Sequence, residues 1–243
     1  MTTKRIDGRS NDEIRPVRIE IGYQAFAEGS ALIELGKTRV LCAVSVEERV
    51  PAFIKGEGGG WITAEYAMLP RSTLTRVPRN LPGERTAGRS QEIQRLIGRS
   101  LRAVTNLSIL GERTFIVDCD VLQADGGTRT AAITGGYVAL FHAFYNLTRQ
   151  GVLPRIPFRC AVAATSVGLV DGEMMLDLCY DEDFRAAVDF NVVMTDKGEF
   201  VEIQGTGEGG PFSKSTVDGL LALAEKGIRQ LLLAQRQAIS QLG

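Results

Sequence analysis

The sequence predicts an α+β fold in which mixed sheets carry packed helices. Three observations indicate this class. Apolar and polar residues alternate along short runs in the first third of the chain and again after residue 158, as in half-buried strands. Two longer segments, about 90–106 and 128–147, place apolar residues at helical spacing, and a third such segment closes the chain at about 216–239. Strands therefore occur in runs that are followed by helices.

In the first half, Gly36-Lys37 separates two apolar runs and is typical of a two-residue hairpin. The stretch 71–89 contains prolines and glycines without periodicity, which predicts a long functional loop. Ser90 is expected to cap the helix that follows. The strands expected in this half are 17–21, 31–35, 38–44, 61–66 and 114–122.

The second half repeats the order of a set of strands followed by a helix, after a proline-containing connector at 151–157. We therefore expect one domain over 1–243, made of two similar halves at about 10–150 and 158–243. The strands expected in the second half are 159–169, 173–180, 187–195 and 199–204.

Composition excludes several function classes. The 243 residues are 44% hydrophobic and 23% charged with a net charge of −1, so any nucleic-acid affinity must come from local patches, a metal ion or an assembly. His142 is the single histidine, which argues against Ser-His-Asp, Cys-His and histidine-rich zinc sites. The four cysteines form no C-x-x-C pair, and neither an apolar leader nor an 18-residue apolar run is present. We expect reduced cysteines, a cytoplasmic location and no membrane contact.

Arginines are concentrated between residues 71 and 102, where eight occur without a lysine. A guanidinium pairs with two phosphate oxygens at once, which suits an RNA backbone. We expect the loop arginines Arg71, Arg76 and Arg79 to bind RNA. For Arg95, Arg99 and Arg102 on the following helix, a solvated face or salt bridges between subunits is an equal alternative.

Two helix starts predict anion sites. Gly88-Arg89-Ser90 places a guanidinium beside the unsatisfied first amides of a helix. Asp125-Gly126-Gly127-Thr128-Arg129 ends a strand and starts a helix, so amides, the Thr128 hydroxyl and the Arg129 guanidinium could converge on one phosphate. The alternative is a tight turn in which Asp125 caps the helix.

An acidic cluster between residues 171 and 189 contains Asp183 and Asp189. Two carboxylates can hold Mg²⁺ beside a substrate phosphate. A solvated acidic turn is the alternative, and it suits Asp181 and Glu182 best and Asp189 least. Together, the anion sites and the acids supply what phosphoryl transfer needs. The anion sites neutralise the phosphate, and the acids can hold a cation that stabilises the transition-state charge and can donate a proton.

Three stretches of the chain, 92–102, 118–130 and 189–195, closely resemble the bacterial RNase PH family. The resemblance runs from about Arg5 to Arg236. It implies a duplicated fold of the ribosomal protein S5 domain 2 type and a homohexameric ring built as a trimer of dimers. It also implies phosphate-dependent 3′-to-5′ trimming of tRNA precursors and other RNA, with reversible release of nucleoside 5′-diphosphates.

The resemblance implies roles for single residues. Arg89, Gly127, Thr128 and Arg129 would bind inorganic phosphate, the co-substrate. Asp183 and Asp189 would serve catalysis and hold Mg²⁺ or another divalent cation. The residues implied to contact tRNA are Arg71, Arg76 and Arg79.

The sequence departs from the family pattern at two places. The loop 77–85 is richer in proline than is usual for the family, and Gly207 replaces the usual alanine.

Two other functions would fit similar residues. A hydrolytic, metal-dependent 3′-exonuclease would release monophosphates without needing phosphate. A non-catalytic RNA-binding ring subunit would bind tRNA without degrading it, although such subunits lack the arginines or acids that this chain keeps.

Overall fold

The computed structural model describes residues 5–78 and 88–243, which form two sheets with helices against them, as the predicted α+β class requires. The first part of the chain forms β1 (Val17–Ile21), β2 (Gly29–Leu35), β3 (Thr38–Glu47), β4 (Trp61–Met68), α1 (Gly88–Ala103), β5 (Thr114–Gln123) and α2 (Thr128–Arg149). The second part forms β6 (Val162–Val170), β7 (Glu173–Leu176), α3 (Tyr180–Asp183), β8 (Val188–Thr195), β9 (Phe200–Thr206) and α4 (Lys214–Ile239).

The first sheet has the strand order β1-β2-β3-β5-β4. The predicted hairpin is confirmed, because Leu35 pairs with Thr38 across a two-residue turn. β4 is the exception in this antiparallel sheet, since it pairs parallel with β5 and the chain between them contains α1. Parallel strands end on the same side, so the residues that follow β4 and β5 meet at one edge of the sheet.

The second sheet is antiparallel, with the order β7-β6-β8-β9. α2 packs against β2, β3 and β6 and so lies between the two sheets. Its approach to β2 requires a glycine, because a Cβ at Gly29 would lie 2.2 Å from the amide nitrogen of Ala143. None of the helices in residues 5–78 and 88–243 combines the length and the apolar character that crossing a membrane demands.

Two boundary predictions were wrong, and one short helix was not predicted. α1 begins at Gly88, so Ser90 lies in its first turn and is not the cap. The strand expected over 173–180 ends at Leu176, because the backbone turns away at Asp177 (φ 52°), whose side chain is drawn into a buried ion pair. The next residues form α3, a four-residue helix too short to leave a periodic signal in the sequence.

The structure contains the four cysteines without a disulfide. Cys42 and Cys119 face each other on β3 and β5 and are buried, as is Cys179, whereas Cys160 is half-buried. The expectation of unpaired thiols in an apolar setting is therefore confirmed for three of them, and Cys160 is only partly covered.

Candidate active site

A buried ion pair joins the N-terminal segment to two distant parts of the chain. Arg15 is 3% exposed and Asp177 is 1% exposed. Arg15 donates from Nη2 to Oδ1 of Asp177 at 2.6 Å and from Nε to Oδ2 at 2.9 Å. Its Nη1 donates to the carbonyl oxygen of Asp125, and Nη2 reaches that of Gly126 at 3.5 Å. One guanidinium thus fixes the turn before α2 against the segment before α3.

A second buried pair orients α3. Arg5 donates from Nε and Nη2 to the two carboxylate oxygens of Glu182 at 2.8 and 2.6 Å. Glu182 also accepts the amide of Cys179 at 3.0 Å. Burial by itself would raise the pKa of Glu182, but the hydrogen bonds from Arg5 and Cys179 outweigh it and lower that pKa. Because Glu182 points inward, its neighbour Asp183 is left on the solvent side of the helix.

The turn before α2 depends on two glycines in the left-handed region, Gly126 (φ 74°) and Gly127 (φ 64°). A Cβ at Gly126 would lie 2.5 Å from the carbonyl oxygen of Leu178. Gly127 is the N-cap of α2 and has no side-chain cap, so the first amides of the helix stay available to an anion. The alternative in which Asp125 caps α2 is wrong, since its carboxylate accepts the amide of Tyr180 at 3.3 Å.

A residue that the sequence analysis missed, Tyr66, holds the Thr128 hydroxyl. Its Oη lies 2.8 Å from Oγ1 of Thr128, and its ring is buried. Burial raises the pKa of Tyr66, while the contact with Thr128 and the positive charges of Arg89 and Arg129 lower it. Both guanidiniums therefore lie close enough to the Tyr66 phenol for their charges to affect its pKa. Only the position of Tyr66 near the end of a strand before a long loop could have indicated it.

The positive charge of Arg129 acts on both predicted acids. Burial raises the pKa of Asp183, and the charges of Arg129, Arg89 and Arg15 oppose that rise. Solvent reaches the Asp183 carboxylate, yet the protein atoms around it remove enough hydration to shift it. Asp189 lies on β8, between Gly168 of β6 and Thr206 of β9. Burial raises the pKa of Asp189, and the negative charge of Asp183 raises it further.

The structure therefore places Thr128 against Tyr66. The positive charges of Arg89 and Arg129 act on that phenol and on Asp183, whose own negative charge acts on Asp189. No group of three or more His, Cys, Asp or Glu side chains suited to a metal exists within the described ranges. Burial raises the pKa of Asp189 and the negative charge of Asp183 adds to that rise, so the two carboxylates lie near each other. Such a pair suits a cation that takes its other ligands from substrate and water.

The predicted RNA-binding arginines differ in their surroundings. Arg71 and Arg76 are exposed, and their loop is tied to the site because the carbonyl of Ser72 accepts the amide of Ala124 at 2.8 Å. Arg95 is exposed on α1. Arg79 lies outside the described residues.

Two helix arginines have partners within the chain instead. Arg99 pairs with Glu202 of β9 at 2.5 Å. Arg102 donates to the carbonyl oxygen of Ile62 at 2.7 Å and covers the ring of Trp61 at 4.2 Å. Arg99 thus forms a salt bridge within the chain, and Arg102 is held by a carbonyl oxygen and an aromatic ring.

Comparison with known families decides the class of the protein. Residues 13–145 match the model of the RNase PH 3′ exoribonuclease family, domain 1, and residues 160–227 match domain 2 of the same family. The chain belongs to the RNase PH 3′ exoribonuclease family. The chain is also 59% identical over 233 residues to Ribonuclease PH of Dehalococcoides mccartyi strain CBDB1, covering 96% of this chain and 97% of that one. Ribonuclease PH of strain 195 is 59% identical over 228 residues, 94% of this chain and 95% of its own.

Solved structures of RNase PH type share the fold. An Archaeoglobus fulgidus exosome with RNA bound to its active site aligns with a TM-score of 0.79 and 25% identity, over 94% of this chain and 91% of that one. Rice Rrp46 aligns with a TM-score of 0.74 and 22% identity, over 96% of this chain and 98% of its own, which shows the fold alone.

Membership in the RNase PH family confirms the predicted activity. The chain is a phosphate-dependent 3′-to-5′ exoribonuclease of the tRNA-processing nucleotidyltransferase class.

We predict that Asp177→Asn lowers the free energy of unfolding by about 3–5 kcal/mol, because it leaves the buried guanidinium of Arg15 without its counter-charge. Chemical denaturation followed by circular dichroism measures the change. Asp171→Asn is the matched control: Asp171 also has a positive φ (51°), but its ion pair with Arg185 is 44% exposed on both sides. The control should change stability by about 1 kcal/mol or less. Equal effects in the two variants would contradict the role given to Asp177.

Proposed function

We propose that Arg89, Thr128 and Arg129 hold orthophosphate in line with the last phosphodiester of an RNA chain, with Asp183 and Asp189 on the other side of that bond. The observation that carries this proposal is the 2.8 Å contact between Oη of Tyr66 and Oγ1 of Thr128, which joins the end of β4 to the start of α2. The positive charges of Arg89 and Arg129 oppose the rise that burial causes in the pKa of this phenol and in that of Asp183. Four elements, α1, α2, α3 and β4, thus each contribute a residue to this group. The amides of Gly127 and Thr128 add fixed dipoles there.

Tyr66 has a defined part in this arrangement. When its phenol donates to Oγ1 of Thr128, the Thr128 hydroxyl keeps its own proton for an oxygen of the phosphate. Burial raises the pKa of Tyr66, so the phenol keeps its proton at neutral pH. Tyr66 is therefore a positioning residue for Thr128.

In the proposed reaction, an oxygen of orthophosphate attacks the phosphorus of the last phosphodiester. The bond from phosphorus to the 3′-oxygen of the preceding nucleotide breaks, and the last nucleotide leaves as a nucleoside 5′-diphosphate. The departing 3′-oxygen takes a proton from Asp189 or from a water that Asp189 holds. Burial raises the pKa of Asp189, which favours the proton on this carboxyl while no cation is bound, whereas a carboxylate that held a cation would leave the water as the donor. The reverse reaction adds a nucleotide.

Asp183 and Asp189 are also the residues that would hold Mg²⁺ or another divalent cation. Such a cation supplies positive charge to the phosphate oxygens as their negative charge grows. The support for this assignment is the closeness of two carboxylates beside a phosphate-binding surface.

For the RNA itself, we propose that Arg71, Arg76, Arg79 and Arg95 hold the backbone of a tRNA precursor or another RNA with a 3′ extension. We leave Arg99 out of this surface because Glu202 neutralises it. The family resemblance further supports a homohexameric ring, a single domain of two similar halves, and a cytoplasmic location.

The central test is to incubate the protein with a short 3′-extended RNA, with and without phosphate, and to identify the products by chromatography. We expect nucleoside 5′-diphosphates that appear only when phosphate is present. Monophosphates released without phosphate would show hydrolysis instead. Intact RNA that stays bound would show a non-catalytic RNA-binding subunit.

We predict that Arg129→Ala raises the KM for phosphate by about 10- to 100-fold, because it removes a charge-assisted fork to the anion. Initial rates measured against phosphate concentration give the value. Arg229→Ala, on the exposed face of α4, is the control and should leave this KM unchanged. Normal degradation by Arg129→Ala at low phosphate would contradict the assignment.

We predict that Asp189→Asn lowers kcat by about 100-fold or more, because a positioned proton donor contributes that much. The affinity for RNA, measured by filter binding without phosphate, should stay near the wild-type value. Asp218→Asn on α4, whose carboxylate is 60% exposed, should change neither quantity. A variant that lost RNA binding and kept its turnover would refute this role.

A further inference from the structure

Two exposed aromatic rings stand beside the reacting carboxylates. Tyr180 is 54% exposed and Phe184 is 80% exposed. Their ring centroids lie 6.3 Å apart with an interplanar angle of 27°, so the rings are stacked and present a common apolar surface to solvent. The proposed reaction gives no part to either ring.

The short helix α3 explains where the rings point. Tyr180, Asp183 and Phe184 occupy positions i, i+3 and i+4 and therefore share one side of the turn. Glu182 lies on the other side, where its buried ion pair with Arg5 prevents the turn from rotating. The two rings thus border the Asp183 carboxylate.

A second contact ties the rings to the phosphate-binding turn. The amide of Tyr180 donates to Oδ1 of Asp125 at 3.3 Å, and Asp125 precedes Gly126, Gly127 and Thr128. The aromatic surface is therefore connected to Asp183 through α3 and to the phosphate-binding turn through Asp125. In the proposed reaction, these two groups lie on either side of the bond that breaks.

We propose that Tyr180 and Phe184 form a stacking surface for a nucleobase next to the scissile phosphodiester. This inference rests on the proposed function, because it takes the place of that bond from it. Arginines and amides bind phosphate, whereas a base needs a flat apolar partner. Stacking accepts every base, since each has a π face, which suits an enzyme that removes nucleotides one after another irrespective of sequence.

The test compares Phe184→Ala with wild type on three RNAs that differ only in whether and where a base is missing. One carries a normal 3′-terminal nucleotide, another carries an abasic residue there, and the third has the abasic residue at the penultimate position. Affinity is measured by fluorescence anisotropy without phosphate, so that no RNA is consumed. Phe26→Ala is the matched control, because Phe26 is fully exposed on the connection between β1 and β2.

We expect Phe184→Ala to weaken binding of the normal RNA by about fivefold or more, in line with the loss of one base–aromatic stack. With one of the two abasic RNAs, wild type should lose affinity to the same extent, and Phe184→Ala should cause little further loss. Phe26→Ala should bind all three RNAs as wild type does. Tyr180→Phe should bind like wild type, because it keeps the ring.

Several results would overturn the proposal. One is an equal effect of Phe184→Ala on the normal RNA and on both abasic RNAs, which would show a displaced Asp183 or another indirect change. Another is a loss of binding that accompanies a change of oligomer mass in light scattering, which would show that the rings contact a second copy of this chain. The failure of the proposed function is recognised separately, since wild type would then release no nucleoside diphosphates in phosphate, whatever the abasic RNAs show.

Discussion

The buried ion pair between Arg15 and Asp177 is the interaction on which the site depends. It takes two charges out of water, which costs free energy unless every polar atom finds a partner. Arg15 meets this condition by donating to the Asp177 carboxylate and to the carbonyls of Asp125 and Gly126. The pair therefore fixes the distance between the turn that would hold phosphate and the segment that carries Asp183.

The parallel pairing of β4 and β5 supplies the other half of the geometry. Both strands end at one edge of the sheet, so Tyr66 near the end of β4 comes close to Thr128, which follows β5. The chain between these strands contains the arginine-rich loop and α1, which begins beside Arg89. A binding site outside the carboxyl ends of parallel strands is common in α/β sheets, and here a single parallel pair is enough to create one.

Much of the fold and the site could be predicted from the sequence. Strand alternation and helical spacing located the long elements, since packing against one core face imposes those periods. The candidate anion sites could be proposed from the sequence because glycines and arginines at helix starts have local signatures. Asp183 and Asp189 stood out as acids beside an apolar strand.

What the sequence did not reveal depends on distant partners. Arg5 and Arg15 look like ordinary surface charges until Glu182 and Asp177 are brought to them. Tyr66 acts through Thr128, which is 62 positions away in the chain. The helix α3 is too short for a periodic pattern, and its orientation comes from the buried Glu182. Arg99 and Arg102 formed a basic stripe in the sequence, but their partners lie on β9 and β4.

The contact between Arg5 and Glu182 spans 177 positions of sequence. A nascent chain that emerges from its N-terminus therefore exposes Arg5 and Arg15 long before their counter-charges are synthesised. Contacts of such large sequence separation slow folding, because a long loop must close before any stabilisation is gained. The hydrophobic core between the first sheet and α2 can form earlier, and the assembly of a working centre becomes one of the last events of folding.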